Sequence, residues 1–501
     1  MLNVCRTVCS QKLKTIRLFS SDTIFALSSG HGKCGVAVIR VSGKNSPTAL
    51  KLLTDSNVLP KARSAILRRI KHPISKETLD RGLILWFPGP KSFTGEDSFE
   101  LQVHGGIAVV NAILNALGSI PSLRLAEPGE FTRRAFHNAK LDLTEVEGLA
   151  DLLQAETELQ RRQAYLQTEG SLSKLYNKWK KTLTNGVAHV EAHIDFGETE
   201  TLEPHLIEHV AKDIHILARD IEQHLADGRK GEILRNGVKT VILGEPNVGK
   251  SSLLNLLCER PAAIVTPIEG TTRDVLEVTL NIHGYPLVLA DTAGLRSSTK
   301  DIIEKEGIER ALKLYEKSNL VILVVDMEKY RNWKRIHEER GINKYLKEYV
   351  DKLKISNLID ASDENISFTK QCLVVFNKSD LGQDEDASID EDHFVRISCK
   401  TEDGVAKLTH MISQKLRILC GEPSEEHPSM NQLRHRQHLS DCLKSLQLFL
   451  DEVSSDDTKE YDLVIMAEYL RKSLRQLGKL VGNVTTDQLL NVIFKDFCIG
   501  K

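Results

Sequence analysis

The middle of the chain carries VKTVILGEPNVGKSSLLNLL at residues 238–257, a pattern with few structural solutions. The apolar run Val238 to Leu243 has the length of a buried strand. Gly244-Glu-Pro-Asn-Val-Gly249-Lys250-Ser251 interrupts it, and leucines at 253, 254, 256 and 257 continue as a helix. Strand, glycine-rich loop and helix in this order make a phosphate cradle, because glycines let backbone N–H groups turn inward and the helix N-terminus adds its dipole. Lys250 would reach the β- and γ-phosphates, and the Ser251 hydroxyl would ligate Mg²⁺.

Three further elements follow, each expected at the end of an apolar strand. Asp-Thr-Ala-Gly at 291–294 comes after YPLVLA, where Asp291 would reach Mg²⁺ through water and the Gly294 N–H a γ-phosphate. Asn377-Lys378-Ser379-Asp380 closes CLVVF. The Asp380 carboxylate can accept two hydrogen bonds from a guanine ring N–H and its exocyclic amine, a pair that adenine lacks. Ser398-Cys399-Lys400 follows FVRI and would add a backbone contact to the base. The ligand expected from this order is GTP.

Between the phosphate loop and DTAG lies EGTTRDV at 269–275, where Thr272, in preference to Thr271, would be the second hydroxyl on Mg²⁺. DTAG is followed by Leu295, not by the water-positioning glutamine of Ras-like proteins. Arg273 and Arg296 are nearby but neither is an evident arginine finger. A potassium ion held by the Asn247 side-chain carbonyl could supply the missing positive charge. The nucleotide contacts expected in all are Asn247, Val248, Gly249, Lys250, Ser251 and Ser252; Thr266, Pro267, Ile268, Glu269, Gly270, Thr271 and Thr272; Asp291, Thr292, Ala293 and Gly294; Asn377, Lys378, Ser379 and Asp380; and Ser398, Cys399 and Lys400.

The 501 residues are too many for one core. Residues 1–21 hold Arg6, Lys12, Lys14 and Arg17 and no acid, with apolar residues interspersed, as in an organellar transit peptide. Residues 22–138 mix apolar runs with Gly/Pro punctuation and read as a small α/β domain. Residues 139–235 read as long helices, with a capping box expected at Thr144 and Glu147. The nucleotide domain is expected over 236–424, with 328–354 as a charged, solvated surface helix, and 425–501 is helical again. Helical segments on both sides of an α/β domain suggest a bundle split by an insertion. Nine scattered cysteines without a C-x-x-C pair exclude a zinc ribbon and a disulfide framework. No apolar run reaches 18 residues, so no membrane insertion is expected. Net charge is −2, so any nucleic-acid contact would come from a local patch and not from bulk charge.

GEPNVGKS, GTTRD, DTAGL, NKSD and the terminal CIGK together resemble the MnmE (TrmE) family of tRNA-modification GTPases. The resemblance runs from Asp22 to Lys501 and includes DTIFALSSGHGKCGVAVIRVSG, SFTGEDSFELQVHGG and PGEFTRRAFHNAKLDLTEVEGLADLL. With the transit-like N-terminus it points to the mitochondrial members and so to the mitochondrial matrix. It implies a tetrahydrofolate-binding N-terminal domain that takes 5-formyltetrahydrofolate or a related one-carbon folate, with Arg40, Glu100, Lys140 and Lys501 as contacts. It implies a Ras-like G domain inserted in the helical domain, dimerising through its switch regions into a homodimer. Potassium would be bound by Asn247, Thr266, Ile268 and Thr271, and water oriented by Glu304, with Glu306 as its substitute.

The partner implied is an FAD- and NADH-using flavoprotein of the MnmG (GidA) family. With it, an aminomethyl-type group is built on carbon 5 of the wobble uridine, glycine- or taurine-derived. Cys498 is either buried filler beside FKDF or a reactive thiol near the folate. The competing function is a regulatory GTPase switch in organellar ribosome assembly, which would share the P-loop, DTAG and NKSD.

Overall fold

A computed structural model describes residues 22–196, 206–259, 278–289, 312–337, 341–360, 367–382, 393–454 and 462–482, with 497 and 500. The chain divides into two compact units, one reaching Ala150 and taking up the chain from Gly482 on, the other running from Asp151 to Val481.

The first unit is built on a six-stranded sheet of β1 (Thr23–Leu27), β2 (Cys34–Ser42), β3 (Ile66–Lys71), β4 (Thr78–Phe87), β5 (Ser98–Gly105) and β6 (Leu123–Leu125). Their order is β3-β4-β5-β2-β1-β6, antiparallel apart from the β1–β6 pair. Alternation assigns the two faces. Ala37, Ile39 and Val41 of β2 and Phe99, Leu101 and Val103 of β5 join the main core. That core is covered by α1 (Ser46–Thr54) and α2 (Ile107–Gly118) through Leu50, Leu53, Ile113 and Leu117. Arg40 and Glu100 fall on the opposite face, directly across the β2–β5 ladder. There α3 (Glu130–His137) places Phe131 in a smaller cluster with Ile24, Ala26 and Ala126.

Helix α4 (Leu143–Gln154) does not start with the expected box. Asp142 Oδ1 accepts from the Glu145 N–H at 3.0 Å, and Glu145 Oε2 accepts from the Asp142 N–H at 2.8 Å, so the reciprocal pair lies two residues earlier. Glu147 lies in the second turn of the helix and is 5% exposed.

In the second unit α5 (Glu158–Thr168), α6 (Ser171–Phe196) and α7 (Leu206–Asn236) precede another six-stranded sheet. Its strands are β7 (Val238–Leu243), β8 (Val278–Ile282), β9 (Tyr285–Leu289), β10 (Leu320–Asp326), β11 (Gln371–Asn377) and β12 (Phe394–Arg396), ordered β12-β11-β10-β7-β9-β8. All neighbours are parallel except β8 and β9. Every residue of β10 is buried, as a central strand covered on both faces should be. One face packs on α8 (Lys250–Cys258) and α11 (Val405–Cys420). The other packs on α9 (Met327–Ile336) and α10 (Ile342–Lys352).

Those last two helices correct the expectation of one solvated helix at 328–354. Tyr330, Tyr345, Leu346, Tyr349 and Val350 are buried in the sheet's second core, so only one side of the segment is charged and wet. Helices α12 (Leu433–Ser454) and α13 (Leu463–Leu480) share a single core with α6 and α7, through Tyr176, Trp179, Leu183, Ile214, Leu439, Phe449, Met466 and Leu470. Helices on either side of the sheet in sequence thus close one bundle. The inner face of α13 alternates steps of four and three: Ala467, Leu470 and Leu477 are buried, and Leu463 and Leu474 pack against them.

Candidate functional site

Strand β7 ends at the point where the sheet order turns outward in both directions, toward β9 on one side and β10 on the other. In open α/β sheets this crevice beyond the strand C-termini is where ligands bind. The loop 244–249 fills it. Gly244 has φ +155° and Gly249 φ +96°. A Cβ at Gly244 would strike the Val324 carbonyl, and one at Gly249 the Asn377 amide, so both positions need glycine. Asn247 is exposed and left-handed, with φ +64°. Val248 is fully buried and anchors the loop, while Ser251 on the first turn of α8 is half-buried and Ser252 exposed.

The Lys250 ammonium donates to the carbonyls of Gly244 at 2.8 Å and Glu245 at 2.6 Å. Burial pulls its pKa below the ordinary lysine value, and the Glu245 charge opposes that shift.

Asn377 joins three expected elements. Its Nδ2 donates to the Val248 carbonyl at 2.8 Å, and its Oδ1 accepts from the Cys399 N–H at 3.1 Å, with the residue 2% exposed. Asp380 is exposed, and its Oδ1 accepts from the Ser398 hydroxyl at 2.7 Å. The Ser398 oxygen also accepts from the N–H groups of Lys400 and Thr401 at 3.3 and 3.2 Å. Ser379 donates its N–H to the Ile397 carbonyl at 3.1 Å. The Asp380 carboxylate therefore stands on a braced loop, and its Oδ2 accepts no bond among the described residues. The Cys399 thiol is half-buried, and burial raises its pKa, while its N–H is held by Asn377. Lys378 sits at φ +66° and its ammonium pairs with Asp326 Oδ2 at 2.6 Å. Asp326 in turn caps α9, accepting from the Glu328 N–H at 3.0 Å.

A second brace was not legible in the motif. The Tyr349 hydroxyl accepts from the Glu245 N–H at 2.9 Å and donates to the Val324 carbonyl at 2.7 Å. The Glu245 carboxylate, in a residue 7% exposed, pairs with Lys329 at 2.6 Å and Lys352 at 2.5 Å. Burial raises the Glu245 pKa, but the two ammonium groups outweigh it, and the carboxyl lies below its ordinary range. Helices α9 and α10 thereby grip the phosphate loop from beneath. The available signal was Tyr345, Leu346, Tyr349 and Val350, an i, i+1, i+4, i+5 stripe inside a charged segment.

In the first unit, Arg40 Nε bonds Glu100 Oε1 at 2.9 Å. Its guanidinium lies 5.2 Å from the Phe93 ring centroid and 5.8 Å from that of Phe131. Phe93 is 38% exposed although its neighbours Ser92 and Thr94 are buried. The loop is held by Thr94 and Glu96 to Ser42, and by Glu96 to Arg134 at 3.0 Å. Arg134 and Arg124 both bond Glu130. Burial pushes the Glu130 carboxyl up, yet the bonds from Arg124, the Glu127 N–H and Arg134 hold it below the ordinary range. Lys140 stands exposed past the end of α3. Gly500 reaches the end of β1, where its carbonyl accepts from the Ser28 hydroxyl at 2.9 Å.

Arg40 and Glu100 are thus brought together, as are the phosphate loop, Asn377–Asp380 and Ser398–Lys400. Thr266, Pro267, Ile268, Glu269, Gly270, Thr271, Thr272, Asp291, Thr292, Ala293, Gly294, Glu304, Cys498 and Lys501 lie outside the described residues.

The model of the GTP-binding protein TrmE N-terminus matches residues 23–140, and that of the MnmE helical domain residues 143–498. The chain belongs to the MnmE family. The helical-domain match runs through the second sheet, whose strands lie between helices of the shared bundle core. Among relatives, the zebrafish mitochondrial 5-taurinomethyluridine-[tRNA] synthase subunit GTPB3 is 48% identical over 506 residues, covering 98% of this chain and 97% of its own. The human protein of the same name is 45% identical, with 96% and 94% covered. The tRNA modification GTPase MnmE of Parvibaculum lavamentivorans is 45% identical, with 96% and 100% covered.

Proposed function

We propose that this MnmE-family chain is a mitochondrial GTPase that modifies carbon 5 of the wobble uridine in tRNA. The observation that carries the reading is the junction at Asn377. One buried amide ties the phosphate loop at Val248 to the Ser398–Lys400 loop, and Ser398 aims the Asp380 carboxylate that selects guanine. Relatives matched over nearly their whole length, named as tRNA-modifying and in two cases mitochondrial, support the substrate class and the compartment.

In this account the G domain is inserted in a helical domain, so nucleotide state is transmitted to the bundle through both connections. The glycine cradle at 244 and 249, which a Cβ would fill, fits a polyphosphate. Ser251, joined by Thr272, would hold Mg²⁺, with Asp291 reaching it through water. Asn247, with Thr266, Ile268 and Thr271, would hold K⁺. When bound, these cations would neutralise charge developing on the transferred phosphoryl group. Lys250 exchanges its bonds to the loop carbonyls for phosphate oxygens, and Glu304 orients the attacking water. Dimerisation of G domains around the switch segments accompanies this closure.

Arg40 and Glu100, flanked by the Phe93 ring, fit a planar hydrogen-bonding group such as the folate one-carbon donor, with Lys140 and Lys501 as further contacts. The partner would be an MnmG-type flavoprotein that brings FAD. An organellar assembly switch would share the G elements but has no use for the Arg40–Glu100 face. The test is reconstitution. A tRNA transcript is incubated with the full chain, the flavoprotein, NADH, a one-carbon folate, taurine or glycine, and GTP in KCl, and its nucleosides are analysed by mass spectrometry. A C5-modified uridine should form with GTP and not with GDP. Product formation independent of GTP would refute the reading.

A further inference from the structure

The chain carries no bulk positive charge, so contact with tRNA has to come from a local surface. One stands out on α6. Its first eleven residues, SLSKLYNKWKK, hold Lys174, Lys178, Lys180 and Lys181 and no acid, and the next acidic residue along the helix is Glu191. Lys174, Lys178 and Lys181 are exposed and spaced i, i+4, i+7, which puts them on one stripe. None of the four lysines makes an ion pair among the described residues, whereas other basic side chains of this bundle do: Arg471 pairs with Glu191 at 2.8 Å and Arg475 with Glu468 at 2.5 Å.

We propose that the Lys174–Lys178–Lys181 stripe of α6 is a docking surface for the phosphate backbone of tRNA. At 1.5 Å per residue the stripe is about 10 Å long, enough to follow successive phosphates of one strand. Its other exposed side chains, among them Asn177, Thr184 and Asn185, lie on polar positions. The large aromatic of the segment, Trp179, is 3% exposed and committed to the bundle core. A protein interface needs apolar or aromatic anchors at its centre. A cationic stripe without them suits a phosphate backbone held without reading bases. An acidic protein surface is therefore the disfavoured occupant.

Helix α13 adds the exposed Lys472. It runs antiparallel to α6: Leu470 lies against Gly186, and the Lys479 carbonyl accepts from Arg434 at the start of α12, next to Tyr176 through His435. Exposed Lys472 lies between these two points. The bundle would thus hold the body of the tRNA while chemistry occurs elsewhere.

The inference rests on the tRNA reading above, and the experiment separates the two. Binding of a fluorescent, unmodified tRNA transcript to the full chain is measured by anisotropy at several KCl concentrations. The triple variant Lys174→Gln, Lys178→Gln, Lys181→Gln is compared with wild type. Each lost phosphate contact lowers the slope of log K against log salt by roughly 0.7–0.9. The variant should therefore lose about 2–3 from the slope, with GTP hydrolysis and melting temperature unchanged. Wild-type binding with an unaltered slope in the variant overturns the stripe and leaves the tRNA reading intact. Loss of flavoprotein binding with an unaltered slope assigns the stripe to a protein and also overturns it. Failure of the wild-type chain to bind tRNA overturns both.

Discussion

The hydroxyl of Tyr349 offers a sharp test of how the phosphate loop is held. Tyr349→Phe removes one oxygen and keeps the ring in its core, so no large cavity opens. The Glu245 N–H, in a residue 7% exposed, loses its acceptor at 2.9 Å, and the Val324 carbonyl, in a fully buried residue, loses a donor at 2.7 Å. A stranded buried donor costs about 1–3 kcal/mol. The carbonyl costs less, because Val324 belongs to a paired central strand and has a second lone pair. Roughly 2–3 kcal/mol is therefore expected to leave the nucleotide domain. Because the loop that relaxes is the phosphate cradle, part of this should appear as lost GTP affinity, about tenfold for each 1.4 kcal/mol. Tyr345→Phe is the internal control, since that hydroxyl makes no hydrogen bond among the described residues although the ring packs in the same core. Urea unfolding and titration with a fluorescent GTP analogue read both effects. A Tyr349→Phe protein with the midpoint and affinity of Tyr345→Phe would refute the proposed brace.

Further outcomes follow from this geometry and from the proposed function. Asp380→Asn should lower GTP affinity on the order of 10–100-fold, as for a lost charged hydrogen bond, and admit xanthine nucleotides; unchanged GTP affinity would contradict the base site. Hydrolysis should be faster in KCl than in NaCl at equal ionic strength, and Glu304→Ala should abolish turnover with affinity retained; equal rates in the two salts would remove the potassium account. The folded Glu130 pKa lies below its ordinary value of 4.5, so its stabilisation is complete above that pH and is lost as pH falls through the lower folded value. Glu130→Gln should be less stable than wild type near neutrality and lose less stability on acidification, by urea midpoints at neutral and acid pH. Equal losses would show that Glu130 is not the group responsible.

What could be read from the sequence was what is written locally. The strand–loop–helix at 238–258 and the groups at Asn377–Asp380 and Ser398–Lys400 are each contiguous, each at a strand end, and the structure joins them through one amide. The grip of Tyr349 on Glu245 spans 104 residues and could not be inferred from either segment alone. The α4 cap shows the limit of spacing: Thr144/Glu147 and Asp142/Glu145 share the same interval, and only the second pair exchanges the reciprocal bonds. Lysines in α9 and α10 make the segment look solvated, because charge dominates its composition while the tyrosine stripe that buries it is short. Arg40 and Glu100 came from family resemblance, and the β2–β5 register gives their physical reason, since only that pairing sets them side by side.

The dependence of wobble-uridine modification on nucleotide binding at Lys250 is the point on which the proposed function stands. It is tested most directly in cells lacking the gene and given back either the wild-type chain or Lys250→Ala, with nucleosides of purified mitochondrial tRNA analysed by mass spectrometry. Wild type should restore the C5-modified wobble uridine, and Lys250→Ala, expressed to the same level, should leave it unmodified. Full modification in the Lys250→Ala cells, or no defect in the deletion itself, would contradict the account.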